Sequence, residues 1–181
     1  HTSEFMGGLG TALEKDGIDI HLSTVDSPES ELSTYRRLMA SKRVDAMILH
    51  SPVLEDERIA ILNQLGLPFV MHGRTQTNLP YHFMDIDNYG AILAATNHLI
   101  GLGHKRIAFI NGLEGWDSSA NRLAGYQDEL LASGIEFDPA LVHQGDWQVQ
   151  SGYRVAQQML AQPDRPTAVF AANDLMALGV I

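Results

Sequence analysis

The sequence predicts an α/β fold in which parallel strands are covered by helices. Two observations carry this. The hydrophobic period switches repeatedly between helical and strand values along the 181 residues. Short apolar runs also alternate with helical patterns of roughly 10 to 15 residues, the spacing of βαβ units.

The elements follow in order. Thr2–Lys15 places Phe5, Met6, Leu9 and Leu13 at helical spacing, with Gly17 as a stop. Ile18–Ser23 alternates apolar and polar residues, as a strand does. Pro28–Ser41 opens on Pro and Glu and carries Leu32, Tyr35, Leu38 and Met39 on one face, so it reads as a helix. Ala46–Leu49 reads as a strand, Glu55–Leu65 as a helix ended by Gly66, and Pro68–Met71 as a buried strand. Residues Gly73–Pro80 are polar and loop-like, and Phe83–Ile86 is a brief strand. Asp87-Asn88 caps a helix over Tyr89–Leu102 that Gly103 terminates. Arg106–Ile110 is a strand, Ser119–Ala132 a helix, Leu141–His143 an extended piece and Val149–Leu160 a helix. Thr167–Phe170 is a strand, and Leu175 begins a last helix. The Gly73–Pro80 loop and the Asp87 cap mark a seam, giving an amino-terminal lobe over 1–86 and a carboxy-terminal lobe over 87–181.

Composition removes several function classes. Hydrophobic residues make up 45%, enough for a buried core, and charged residues 19%, too few for a disordered chain. The formal net charge is −10; a surface this acidic repels phosphate backbones and makes this stretch a poor candidate for touching DNA itself, although acidity that simply serves solubility is the weightier reading. There is no cysteine, which removes disulfides and thiolate metal sites and fits a cytoplasmic location. No apolar run approaches the ~20 residues of a membrane span, so no membrane partner is expected.

In open α/β sheets, ligands sit beyond the carboxyl ends of the strands. The strand at Arg106–Ile110 is followed by Asn111 to Ser119, with Arg122 in the next helical turn. The strand near Val142 is followed by Gly145-Asp146-Trp147, and Thr167–Phe170 by Ala171-Ala172-Asn173-Asp174. Ser118, Arg122, Trp147 and Asn173 are therefore the candidate ligand contacts. Trp147 offers an apolar face to a pyranose or a base. Arg122 offers a fork of donors, Asn173 both donates and accepts, and Ser118 adds a hydroxyl. Each has a plainer role open to it. Trp147 also suits packing, Arg122 a surface helix, and Asn173-Asp174 a helix cap. Asp174 is expected to take the cap, which leaves Asn173 for ligand. In the first half, Asp26-Ser27, His50-Ser51 and His72-Gly73-Arg74 follow strands. Ser27-Pro28 reads as a helix start, and the two histidines as packed or solvated.

Several runs together resemble the effector-binding core of LacI/GalR-type transcriptional regulators. They include Arg43-Val44-Asp45-Ala46-Met47-Ile48-Leu49, Asp87-Asn88-Tyr89-Gly90-Ala91 and the stretch from His98 through Gly103-His104-Lys105-Arg106 to Ile110. They continue with Arg122-Leu123-Ala124-Gly125-Tyr126, Gly145-Asp146-Trp147, Ser151-Gly152-Tyr153 and Arg165-Pro166-Thr167 through Asn173-Asp174-Leu175-Met176-Ala177-Leu178-Gly179. Each is modest alone; in this order and spacing they are specific. The resemblance implies a periplasmic-binding-protein-like fold of two Rossmann-like lobes, truncated at both ends, with a ligand cleft between them. It implies a sugar effector first and a nucleobase second, a homodimer, and operator DNA bound by an amino-terminal helix-turn-helix outside this chain. It also carries effector contact onto Arg122, Trp147 and Asn173, and onto Ser118 in some members. No cofactor is expected.

Two other classes compete. A periplasmic sugar-binding protein would share the fold, and an upstream signal peptide would mark it. A metal-dependent enzyme would use Asp85 and Asp87 as a D-x-D pair for Mg²⁺, but Asp87 already suits a cap. No Gly-x-Ser-x-Gly, His-Glu-x-x-His or Gly-x-x-x-x-Gly-Lys run is present. The Gly7-Gly8-Leu9-Gly10 cluster lies inside a helical pattern, not between strand and helix, so it is not a dinucleotide loop. The expected function is effector sensing, not catalysis.

Overall fold

The computed structural model describes residues 2–181, with side chains from residue 4 onward apart from that of residue 28. From β1 onward the strands and helices follow in the order that the periodicity predicts. The chain runs α1 (Thr2–Glu14), α2 (Pro28–Ser41), β1 (Met47–His50), α3 (Arg58–Leu65), β2 (Phe69–His72), β3 (His82–Met84) and α4 (Asn88–Gly101). It continues with β4 (Ile107–Asn111), α5 (Asp117–Ala132), β5 (Val142–Gln144), α6 (Val149–Leu160), β6 (Ala168–Ala171) and α7 (Asp174–Val180). There are two three-stranded sheets, ordered β1-β2-β3 and β5-β4-β6. The pairs β2–β3, β4–β5 and β4–β6 are parallel.

The chain divides into two compact units. The smaller comprises residues up to 47 together with 60–68. In it Ser27 caps α2, accepting from the Ser30 amide while its own amide donates to the Ser30 hydroxyl. Tyr35, Leu38, Leu62 and Leu67 are its buried apolar residues. The expected strand at Ile18–Ser23 is not one. The segment joins no ladder among the described residues, and Ile18, Ile20 and Leu22 are exposed. Alternation makes a residue run suited to a sheet face, but a strand forms only where an edge hydrogen-bonds to it.

The larger unit, 48–59 with 69–181, holds both sheets apart from Met47. Its centre is β4, buried at every position, as expected of a parallel strand covered on both faces. The period of two divides its side chains. Ala108 and Ile110 pack with Leu141, Val155, Ala156, Met159 and Met176, on the side of α6 and α7. Ile107 and Phe109 pack with Ile92, Tyr126 and Leu130, on the side of α4 and α5. Phe109 stacks on Phe170 at 4.6 Å between ring centroids. The buried Tyr126 hydroxyl donates to the Ile107 carbonyl at 2.8 Å, and burial pushes its pKa up to about 12.

Helix starts follow from the residues that satisfy their first amides. Asp87 caps α4 by accepting from the Gly90 amide at 2.8 Å. Helix α3 begins at Arg58, later than the periodicity suggested, because Asp56 accepts from the Val53 and Arg58 amides and so folds the residues between them into a turn. Two glycines let α6 and α7 touch. A Cβ on Gly152 would lie 2.0 Å from the Met176 carbonyl oxygen, and one on Gly179 would lie 2.0 Å from that of Val149. No side chain yields there, because the obstacle is backbone.

Gly152→Ala is therefore expected to lower stability by about 1–3 kcal/mol. The measurement is a drop in the urea midpoint with the slope unchanged. Gly7→Ala, where nothing lies within 4 Å, is the control; it is expected to gain about 0.5–1 kcal/mol from the helix alone.

Candidate functional site

The ends of β4, β5 and β6 converge on one place. Asn111, the last residue of β4, is buried and fully engaged. Its Oδ1 accepts from the Gly112 amide at 2.8 Å, its Nδ2 donates to the Ser119 carbonyl at 2.9 Å, and its own carbonyl accepts from the Gly145 amide at 2.8 Å. One amide thus aligns the loop after β4, the start of α5 and the loop after β5. Gly112 completes the fit. A Cβ there would lie 1.9 Å from the Cη2 and Cζ2 atoms of Trp147, so the indole edge lies directly against the Gly112 backbone.

Trp147 has φ +69°, the left-handed region that L-residues rarely occupy. Such strain costs about 1–2 kcal/mol and concentrates at functional positions. Its ring lies 5.4 Å from the Arg122 guanidinium carbon. Its Nε1 is buried and has no hydrogen-bond partner among the described residues. Arg122 forms no hydrogen bond or ion pair among them either; burial lowers its pKa, and the field of Asp85 partly offsets this. A desolvated guanidinium thus lies beside an indole whose buried N–H is left without an acceptor among the described residues.

Asn173 departs from expectation. It, and not Asp174, is the cap of α7: its Oδ1 accepts from the Met176 amide at 2.9 Å. Its backbone is extended at φ −148°, whereas Asp174 is already the first helical residue. The Asn173 Nδ2 donates to the Trp147 carbonyl at 3.0 Å. Both ends of the amide are thus used within the protein, and Asn173 holds Trp147 in its strained conformation. Ser118 lies half-buried in the first turn of α5. It precedes Arg122 by four residues and so shares its helix face.

Two features escaped the sequence reading. Trp116 lies beside Trp147, ring centroids 5.9 Å apart and planes tilted by 48°. These are the chain's two tryptophans, and that scarcity was the available signal. The second feature is at the carboxyl ends of β1 and β2, where His50 and His72 stack at 4.7 Å with their Nδ1 atoms 2.7 Å apart. At that distance one Nδ1 donates and the other accepts. The His50 pKa is lowered by burial first, then by His72 and Arg58.

The loop after β1 meets the loop after β4. Val53 bridges Trp116 in antiparallel fashion, and the Leu54 amide donates to the Gly115 carbonyl at 2.7 Å. Asp85 and Asp87 do not act as a pair: Asp87 caps α4, while Asp85 accepts from the Ile86 amide and the Asn88 side chain and lies 4.0 Å from Arg74. No group of three or more potential metal ligands occurs among the described residues. A cavity of about 350 Å³, lined by Ile100, His104, Lys105 and Ile135 among others, lies at the opposite end of β4 and has no part in this arrangement.

Asp117 yields a pH prediction. It is buried at the start of α5 and accepts from the Asn121 amide at 2.6 Å. Burial first, and then Asp85, raises its pKa, against the opposing effects of Arg74 and the Asn121 hydrogen bond. A carboxyl with a raised folded-state pKa favours folding below the unfolded value, and that contribution is lost as pH rises through the folded value. Asp117→Asn is therefore expected to stabilise the protein near neutral pH and to lose that advantage below about pH 4. Urea midpoints across that pH range measure it.

The sequence matches, over residues 3–181, the family described as periplasmic binding proteins and sugar binding domain of LacI family. It is 41% identical to the HTH-type transcriptional regulator AglR of Rhizobium meliloti, over 100% of this chain and 51% of that protein. It is 36% identical to the HTH-type transcriptional regulator CelR of Thermobifida fusca, over 96% of this chain and 52% of that protein. A solved complex of the transcriptional regulator CelR with cellobiose superposes with a TM-score of 0.82 at 37% identity, covering 96% of this chain and 53% of that one. The chain spans about half the length of the curated relatives it matches. It belongs to the family of periplasmic binding proteins and LacI-type sugar-binding domains.

Proposed function

We propose that this chain is the effector-sensing part of a LacI-type transcriptional regulator, that its effector is a sugar, and that the effector contacts Arg122, Trp147, Ser118 and Asn173. The observation that carries the reading is the meeting of three strand ends at Trp147, with Arg122 against its ring and Asn173 on its carbonyl. Unsatisfied donors beside an aromatic surface suit a molecule with hydroxyls on one side and C–H groups on the other. Asn173 acts in this reading mainly by orienting Trp147. The relatives named above are transcriptional regulators, and CelR is solved with cellobiose.

In the whole protein, operator DNA would be bound by a helix-turn-helix segment, by a homodimer in the cytoplasm. The acidic charge of −10 argues against DNA contact by this chain. Effector shifts the switch only by its difference in affinity for two arrangements. We place the boundary between the moving lobes at Ile86-Asp87, in the connection between the two sheets. Among the described residues no helix is long and apolar enough to cross a membrane.

Calorimetric titration of the intact protein against a panel of sugars and purine nucleosides tests the reading. Arg122→Ala and Trp147→Ala are each expected to weaken sugar binding by about tenfold to a hundredfold. Circular dichroism should remain that of the wild type. Nucleoside binding without sugar binding, or turnover of any sugar, would overturn the proposal.

A further inference from the structure

We propose that Trp116 is a second sugar-contacting residue and sets the length of the ligand, so that the site takes a saccharide of at least two rings. The inference rests on the sugar reading above and extends it. Two indoles meet at the site, 5.9 Å apart between centroids and tilted by 48°. A planar purine held between aromatic faces needs them parallel and about 7 Å apart, with contact on each side. This pair is too close and too tilted for that. Two pyranoses joined by a glycosidic bond are turned relative to each other, and each stacks through its own C–H face. A ligand lying along the pair, one ring to each indole, satisfies both.

The position of Trp116 points the same way. It is the residue before α5, where Ser, Thr, Asp or Asn would satisfy a helix amide. Trp116 makes no side-chain cap bond, so the helix forgoes that stabilisation. What the side chain at this position does instead is meet the Trp147 ring. The backbone of Trp116 is held in place, because it bridges Val53 and the adjoining Gly115 carbonyl accepts from the Leu54 amide at 2.7 Å. Arg122 lies against Trp147, so the ring beside Trp147 also meets the guanidinium, and the ring beside Trp116 depends on stacking.

The test titrates maltose, cellobiose, lactose and melibiose, with glucose and galactose, into the intact wild-type protein and into Trp116→Ala, Trp116→Phe and Trp147→Ala. Wild type is expected to bind at least one disaccharide tenfold or more tightly than its constituent monosaccharides. Trp116→Ala is expected to abolish that preference by weakening disaccharide binding at least tenfold more than monosaccharide binding, and Trp116→Phe to restore most of it. Trp147→Ala is expected to weaken both ligand lengths. Should Trp116→Ala fail to fold, Trp116→Leu replaces it, since it keeps bulk and removes the ring. Equal loss for both lengths, or no change in Trp116→Ala, overturns the role of Trp116 and leaves the sugar reading standing. Absence of binding to any of the six sugars by wild type overturns both.

Discussion

The buried amide of Asn111 is the joint on which the site depends. A buried amide left unsatisfied costs about 1–3 kcal/mol, whereas a satisfied one rigidifies its surroundings. Asn111 engages both side-chain atoms and its carbonyl, and each bond ties down a different segment. It can do so because β4 is buried on both faces and delivers its last residue to a fixed place. The loop after β4, the head of α5 and the turn before Trp147 are then positioned together.

A second constraint comes from the helices. Gly152 and Gly179 bring α6 and α7 into backbone contact, and the residues just ahead of those helices are Trp147-Gln148 and Asn173. Close packing of the helices thus sets the reach of the Asn173 amide to the Trp147 carbonyl. The left-handed backbone of Trp147 persists because Asn173, Gly112 and Arg122 all contact it. Strain of this kind survives only where neighbours over-determine the conformation.

Much of this was legible in the residues, for definite reasons. Helices were readable because apolar spacing and caps such as Asp87 act locally. The family was readable from ordered motifs, and three of the four proposed contacts, Arg122, Trp147 and Asn173, meet at the predicted strand ends. The failures have a common cause, which is that the deciding partner lies far off in sequence. Ile18–Ser23 has the strand pattern but no edge to pair with. Asn173 and Asp174 are both good caps by type, and only the extended backbone at Asn173 decides between them. The stacking of His50 on His72 joins two strands across 22 residues, and the approach of Trp116 to Trp147 joins two loops. Neither leaves a periodic trace.

The pairing of Val53 with Trp116 ties two loops of the larger unit together. The loops after β1 and β4 are joined there by an isolated bridge, whose short backbone hydrogen bond runs from the Leu54 amide to the Gly115 carbonyl. Such a bond is worth a net ~0.5–1.5 kcal/mol, so by itself it biases the joined over the parted arrangement by a factor of roughly 2 to 13. That is a small share of what holds the turn at Gly115-Trp116, because Asn111 also fixes this loop from either side through Gly112 and Ser119.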